Sequence, residues 1–453
     1  MTEVQPDASA APRRQQVATR YALGPLAAYG ALRGPLALLE LPLFVLLPSF
    51  YAAHGGIGIA AIGAILLVTR VADALVDPLI GAAMDRGRGG AELRRWIYVA
   101  LPFLTLGFIA LFEPPGGSAA GWWLAICAIV VHTAYSVVSI AYQAWGAALG
   151  STPRDRVRVT ATREAFGLAG VIVSAAFMGD AGPGGLSAAF TLAVLLAVIA
   201  LRRAPLAPPS PVAADRSSRP RPWRAMRRAL DDRDFRWLLA AFASSGIATA
   251  IPATLVLFYV ADVLGARDHA PWLLLLYFAC AALAMPAWPP LAARFGLRNA
   301  WLAGIGLSVV GFVWALGLVR GDTTAFAIIC AITGFALAAD LAIPPAMLAA
   351  LTERANPLPR ATSFGIWHLV TKLNLALAAG IGLPLLAFLG YVPSASGGVV
   401  DAALAATPGA PGAAAPGTVA LALVYAGLPC LLKIAAAFIL LLAPQPAVRG
   451  ASA

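Results

Sequence analysis

The sequence predicts an all-α polytopic membrane protein with twelve transmembrane helices in two six-helix bundles. Three observations lead there. The 453-residue chain is 60% hydrophobic and only 12% charged, about half the charged share of an ordinary soluble domain. Apolar runs near the ~20 residues that a span requires recur along its length. A single polar stretch, "RRAPLAPPSPVAADRSSRPRPWRAMRRALDDRDFR", parts those runs six and six.

The spans are expected at residues 21–50, 57–84, 96–113, 122–148, 163–180 and 185–202, then at 236–265, 271–292, 300–319, 323–352, 361–389 and 418–443. A polar tail, 1–20, lacks the short apolar core and small-residue cleavage site of a removable signal peptide. The first bundle covers 21–202. The linker, 203–235, is too rich in proline, serine and arginine to bury an apolar face. The second bundle covers 236–443 and ends in a tail, 444–453. "DPLIGAAMDRGR" and "MPAWPPLAARFGLR" echo each other between the second and third spans of each half, and paired halves are a transporter arrangement. Pro252, Pro286, Pro289, Pro290, Pro344 and Pro345 fall within spans, which predicts bent helices around a cavity. Residues 395–417, rich in Gly, Pro and Ala, read as an external loop.

Charge placement sets the topology. The formal charge of +11 would suit nucleic acid in a soluble protein, but here most Lys and Arg fall in the tails, the linker and the loops of one side, leaving Arg267 and Arg320 opposite. The positive-inside rule then places both termini and the linker in the cytoplasm of a cell inner membrane, with no nucleic-acid partner. Trp96, Trp122, Trp123 and Trp237 sit at span ends as an interfacial belt. Cys127, Cys280, Cys330 and Cys430 lie singly in apolar runs and read as small buried hydrophobes. No Gly-Lys-Ser/Thr loop points to direct use of ATP. A membrane enzyme acting on a diphosphate needs two aspartate-rich clusters, and the second bundle offers one aspartate deep in a span, Asp340.

Chemistry concentrates in "RVADALVDPLIGAAMDR". Arg70, Asp73, Asp77 and Asp85 fall near one helical face. A charge at mid-membrane costs ~2.5–3.5 kcal/mol on insertion scales, so the stripe should face the bundle interior. Two carboxylates a turn apart need a cation between them, a bound proton, or neutralisation by Arg70. One arginine cannot neutralise both, which favours an exchangeable ion over a permanent bridge pinning the helices. Gly81, Asp85 and Arg86 resemble the cytoplasmic signature of the major facilitator superfamily, where Asp85 would latch a closed gate.

The same stretch resembles the second-helix signature of the glycoside-pentoside-hexuronide:cation symporters, the melibiose-carrier-like branch of that superfamily. "YQAWGAALGSTPRDRVRVTATREAFG" resembles its fourth-to-fifth helix junction, and "FGIWHLVTKLNLALAAGIGLPLLAFLGYVP" its eleventh helix. The resemblance implies the major facilitator fold and a coupling cation, a proton or sodium, held at Asp73 and Asp77. It also implies that Lys372 faces them and pairs with them once the cation has left; the alternative partner for Lys372 is Asp340. Ser136 and Ser139 would add hydroxyl oxygens. Arg163 matches an arginine lying near the substrate in relatives.

Three positions depart from the pattern. Glu40 falls about a turn beyond the first-helix acid that holds sugar hydroxyls, Ser139 replaces a fourth-helix acid, and Gln143 replaces the aromatic that stacks on the sugar. Losing a carboxylate lowers the charge of the site and moves the balance from sodium toward a proton. Glu40 and Arg33 are spaced to satisfy each other, and Tyr135, Tyr142, Gln143, Trp367 and His368, with Asp340, are further candidates for lining an organic ligand site. Lys433 has no evident partner and could snorkel. The expected function is cation-coupled symport of a small polar solute, with a lysolipid-like amphiphile as the alternative cargo. No cofactor is expected; the partners are membrane lipid and a small-molecule substrate, and the expected state is a monomer.

Overall fold

The computed structural model describes residues 22–54, 59–86, 90–116, 119–180, 182–206, 221–354, 356–391 and 416–443. Every regular element among them is helical. The expected external loop (apart from residues 416 and 417), the two tails and residues 207–220 of the linker lie outside the described residues.

The first half holds α1 (residues 23–54), α2 (Ile59–Met84), α3 (Gly90–Leu111), α4 (Ala120–Ala147), α5 (Pro153–Asp180) and α6 (Gly182–Leu201). A short linker helix, Pro222–Asp231, leads into the second half. That half holds α7 (Arg233–Val263), α8 (residues 270–295), α9 (residues 297–316), α10 (Thr323–Thr352), α11 (Arg360–Phe388) and α12 (Gly417–Leu442). Among the described residues, eight helical stretches are long and apolar enough to cross a membrane, one of them running through α8 and α9 together. The charges within α2 and the basic opening of α5 set those two helices apart from the apolar spans.

Helices α3 and α5 begin at Gly90 and Pro153, ahead of the expected spans, and two further elements differ in their course. The first span is interrupted by a turn at residues 31–32 and by a π-helical turn, Pro42–Leu46. A π turn misaligns carbonyls with the amides four residues on and leaves acceptors for other donors. The gap expected between residues 292 and 300 shrinks to one residue, Gly296, with φ 79° and ψ 159°, a conformation essentially restricted to glycine. Pro289 and Pro290 open the helix that follows a short 3₁₀ turn, Met285–Ala287, where a missing amide hydrogen costs little.

Within the first bundle, α1 packs on α5 so closely that a Cβ on Gly170 would overlap the Gly34 carbonyl. The Ser174 hydroxyl donates to the Leu38 carbonyl at 2.8 Å across the same seam. Tyr29 and Tyr142 donate to each other's backbone carbonyls at 3.0 and 2.7 Å, joining α1 to α4.

The bundles meet at one end. There α2 and α4 touch α11, and α5 touches α8 and α10. A Cβ on Gly81 would overlap the Ala361 carbonyl, and one on Gly365 would come within 2.5 Å of the Asp77 carbonyl, so the α2 and α11 backbones are in direct contact. Asp85, just past α2, accepts from the amides of Ala361 and Thr362 at 2.8 and 2.7 Å and from the Thr362 hydroxyl at 2.6 Å. A carboxylate at the first turn of α11 satisfies amides that the helix leaves unpaired and complements its dipole. Thr160 of α5 donates to the Ala342 carbonyl of α10 at 2.6 Å, a second bond between the halves. The α10–α11 turn is tied down in addition by Arg228, which donates to Asn356 Oδ1 at 2.8 Å, and by Arg354, which pairs with Asp232 and Asp234.

This closure rests on Gly81 having no side chain. Gly81→Val should part α2 from α11 and free the Ala361 and Thr362 amides, each in a charge-assisted bond, so that their hydrogen exchange quickens by at least about tenfold. Unchanged exchange in a folded variant would show that the contact does not hold this end shut.

Candidate functional site

The charged stripe of α2 follows from helical spacing. Thr69, Asp73, Asp77 and Gly81 recur every four residues and are buried, while Val68, Val71, Leu75 and Leu79 on the other side are exposed, as a lipid-facing surface would be. The acids therefore face into the molecule. Asp73 is 6% and Asp77 0% exposed.

Between them sits the ammonium of Lys372, from α11 in the other half. Its Nζ lies 2.5 Å from Asp73 Oδ2 and 2.7 Å from Asp77 Oδ2, and it donates to Ser136 Oγ at 2.9 Å. Ser136, on α4, donates in turn to Asp73 Oδ1 at 2.9 Å. One turn before Lys372, His368 brings its Nδ1 to 2.9 Å from Asp77 Oδ2. Asp77 Oδ1 is buried and has no hydrogen-bond partner among the described residues. Two carboxylates thus share one ammonium at ion-pair distance. With His368 neutral, that trio carries one negative charge in excess, and an unpaired acceptor oxygen faces inward beside it.

Arg70 does not take the place between the carboxylates. Its Nη2 donates to the Leu43 carbonyl at 3.1 Å, in the π-helical turn of α1 where the backbone offers an acceptor. His132, one turn before Ser136, is buried beside the same charges and escaped the sequence reading, because a lone histidine in an apolar run carries no spacing signal. Ser139 is buried on α4 one turn after Tyr135, which places it in a neighbouring group.

That group joins α1, α4 and α5. Arg33 Nη1 lies 2.7 Å from Glu40 Oε1, and the Tyr135 hydroxyl donates to the same oxygen at 2.5 Å. Arg33 Nε reaches Glu164 Oε2 at 3.5 Å, and Arg163 Nη2 pairs with Glu164 Oε1 at 2.6 Å. A Cβ on Gly167 would approach Arg33 Cγ to 2.9 Å, so glycine there makes room for the guanidinium stem. Glu164 was missed in the sequence; an acid directly after Arg163 in "TREAFG" was the available signal. Two cations and two carboxylates balance within this network. Its Glu40 end is accessible, with 32% of the side chain exposed, whereas Arg163 is 5% exposed. The Tyr135 ring lies 5.9 Å from that of His368, centroid to centroid, and so adjoins both charged groups.

Other candidates are held elsewhere. Tyr142 is buried in its reciprocal bonds with Tyr29 and presents no hydroxyl to a ligand. Gln143 lines a small cavity near the closed end with Tyr29, Arg156, Arg163 and Pro345. Trp367 stacks on Phe242 of α7, with centroids 3.6 Å apart and planes at 18°, and serves packing inside the second half. Asp340 is not the partner of Lys372. Its Oδ2 lies 2.5 Å from Lys433 Nζ, and its Oδ1 accepts from Trp301 Nε1 at 2.9 Å and Ser245 Oγ at 3.1 Å. Lys433, far from snorkelling, is 4% exposed and also donates to Ser245 Oγ at 2.8 Å. Gly81 and Asp85 belong to the closed end described above, and Arg86 is exposed beside it. Among the described residues, no three His, Cys, Asp or Glu side chains are grouped as metal ligands. A sodium ion here would rest on two carboxylates and hydroxyl oxygens.

Comparison with known proteins matches this architecture. A family model described as MFS/sugar transport protein covers residues 28–445. The isoprimeverose transporter of Lactiplantibacillus pentosus is 26% identical over 279 residues, 58% of this chain and 57% of that protein, so the match spans little more than half of that relative's length. The sphingosine-1-phosphate transporter MFSD2B of Mus musculus is 22% identical over 358 residues, 71% of this chain and 72% of that protein. The solved structure of the Escherichia coli fucose:proton symporter shares the fold, with a TM-score of 0.65 at 14% identity over 93% of this chain and 99% of that one. With its helices in two bundles and the family model running through both, the chain belongs to the MFS/sugar transport protein family.

Proposed function

We propose that the chain is a symporter that carries a small polar solute, a sugar or glycoside, together with a proton or sodium ion, by alternating access. One observation carries this reading: the Lys372 ammonium, from one half, seated between Asp73 and Asp77 of the other. In a low dielectric two adjacent carboxylates need positive charge, and an ammonium tethered to α11 supplies it when no external cation is present. A proton or sodium ion arriving at Asp77 competes for the same charge and releases Lys372. With His368 neutral, the empty carrier then keeps one net negative charge among Asp73, Asp77 and Lys372 at mid-membrane, and a bound cation brings the group to neutrality. That asymmetry is what coupling requires.

Solute recognition falls to the neighbouring group. Glu40, Tyr135 and Arg33 offer acceptors and donors suited to sugar hydroxyls. A solute bound there lies against the Tyr135 ring and therefore next to His368 and Asp77. The positive-inside rule makes the closed end cytoplasmic, so the Asp85 latch closes the inner gate.

A second reading keeps the fold and changes the cargo to an amphiphile with a phosphate head. It is favoured by the 71% of the chain that aligns with a sphingosine-1-phosphate transporter and by Arg33 and Arg163, whose guanidiniums suit phosphate. In proteoliposomes, an imposed proton or sodium gradient should raise uptake of isoprimeverose or a related glycoside at least about tenfold, and Asp77→Asn should abolish the stimulation. Lysolipid flux with no glycoside uptake would favour the second reading. Glycoside uptake indifferent to both gradients would defeat the coupling.

Lys372→Met should separate two modes of transport. Net uptake requires the empty carrier to return with its carboxylates paired to the ammonium, so it should slow by about tenfold or more; exchange of solute across the membrane skips that step and should be little affected. Equal losses in both modes would contradict the role given to the ammonium.

Asp340 and Lys433 are read as a brace. Lys433→Met alone strands a buried carboxylate at ~3–5 kcal/mol and should lower the thermal midpoint sharply. Lys433→Met with Asp340→Leu should recover most of that stability and retain gradient-driven uptake. A stable double variant without uptake would place Asp340 in the transport pathway.

A further inference from the structure

The basic end of α7 carries an open groove lined by Arg233, Arg236, Trp237 and Ala240. These positions recur at spacings of three and four and form one stripe on the helix. We propose that this groove binds the headgroup of one anionic phospholipid, its phosphate held by the two guanidiniums and one acyl chain running along Ala240.

Charge accounting singles out the two arginines. The nearby acids are committed to other cations: Asp232 and Asp234 pair with Arg354, and Asp231 lies 3.4 Å from Arg227. Asp232 also accepts from the Phe235 amide at 3.0 Å, capping α7. Arg228 is spent on Asn356 and on the Pro357 carbonyl. Arg233 and Arg236 are exposed, and neither has a carboxylate partner among the described residues.

Position then selects the occupant. Arg233 begins a helix apolar enough to span a membrane, so its guanidinium lies at headgroup depth, and Trp237, half-buried one turn further in, sits where indole rings favour the interface. Planar guanidiniums recognise phosphate oxygens in a bidentate manner, and the small Ala240 side chain leaves space for a hydrocarbon chain below them. On the basic side of the membrane the chain offers no rival of suitable charge. Residues 207–220 hold Asp215 against Arg216 and Arg219, residues 444–453 hold Arg449 and no acid, and residues 1–21 hold Glu3 and Asp7 against Arg13, Arg14 and Arg20. Each segment is net positive and would be repelled, whereas a basic cluster beside a span attracts anionic lipid.

The test is native mass spectrometry of the full-length protein in detergent, titrated with phosphatidylglycerol and with phosphatidylcholine of the same chains. Wild type should retain phosphatidylglycerol in preference. R233Q/R236Q should weaken that retention about thirty-fold, at roughly fivefold per guanidinium, while R221Q/R224Q on the linker helix should change it little. Should the double variant fail to purify, brominated phosphatidylglycerol should quench the tryptophan fluorescence of wild type more than that of W237F, and equal quenching would overturn the proposal. It would equally be overturned by identical retention in wild type and R233Q/R236Q, or by displacement of the lipid with inorganic phosphate alone, which would mark a site for free anions.

Discussion

Charge buried at mid-membrane must be compensated, and in this protein Lys372 meets part of that demand by reaching from one half to the aspartates of the other. The rest of the closed end is consistent with that reach. Helices α2 and α11 approach to backbone contact at Gly81 and Gly365, which brings Lys372 and His368 to the acid stripe. The same approach places Asp85 at the first turn of α11, where it accepts three hydrogen bonds. One seam between the halves therefore carries both the central ion pairs and the latch.

Three groups of intramembrane charge differ in their balance. Asp340 and Lys433 match one to one, with Ser245 and Trp301 completing the hydrogen bonds. Arg33, Glu40, Arg163 and Glu164 match two to two. At Asp73, Asp77 and Lys372, with His368 neutral, the ion-paired charges do not match, and a buried carboxylate oxygen is left without a partner among the described residues. A balanced group is stable as it stands and resists opening. An unbalanced one gains from a further positive charge, which is the property a coupling site needs. Tyr135 stands between the unbalanced group and the accessible Glu40, so occupancy of one bears on the other through a shared side chain.

Much of the fold was legible in the sequence because the bilayer imposes a single demand, long apolar helices, that composition displays directly. The inward direction of the α2 stripe was legible for the same reason, since apolar and acidic residues alternate at helical spacing. Partnerships between spans were not. Arg70 precedes Asp73 by three residues and looks like its neutraliser, yet the π-helical turn in α1 offers it the Leu43 carbonyl, and no composition signal marks that turn. Lys433 looked isolated because its partner lies on a helix 93 residues earlier in the chain. Glu164 was hidden behind its neighbour Arg163, whose resemblance to a known position drew the reading. Helix rotation and the pairing of helices decide such contacts, and neither is written in one span alone.

The most direct measurement of the central claim is infrared difference spectroscopy of the reconstituted protein as sodium is added or the pH is lowered. The account predicts a change in carboxylate stretching bands on adding the coupling ion, assigned by its loss in Asp77→Asn and altered in Lys372→Met, as the ammonium yields its place. Solute uptake driven by an ion gradient, with no carboxylate band responding to that ion, would contradict it.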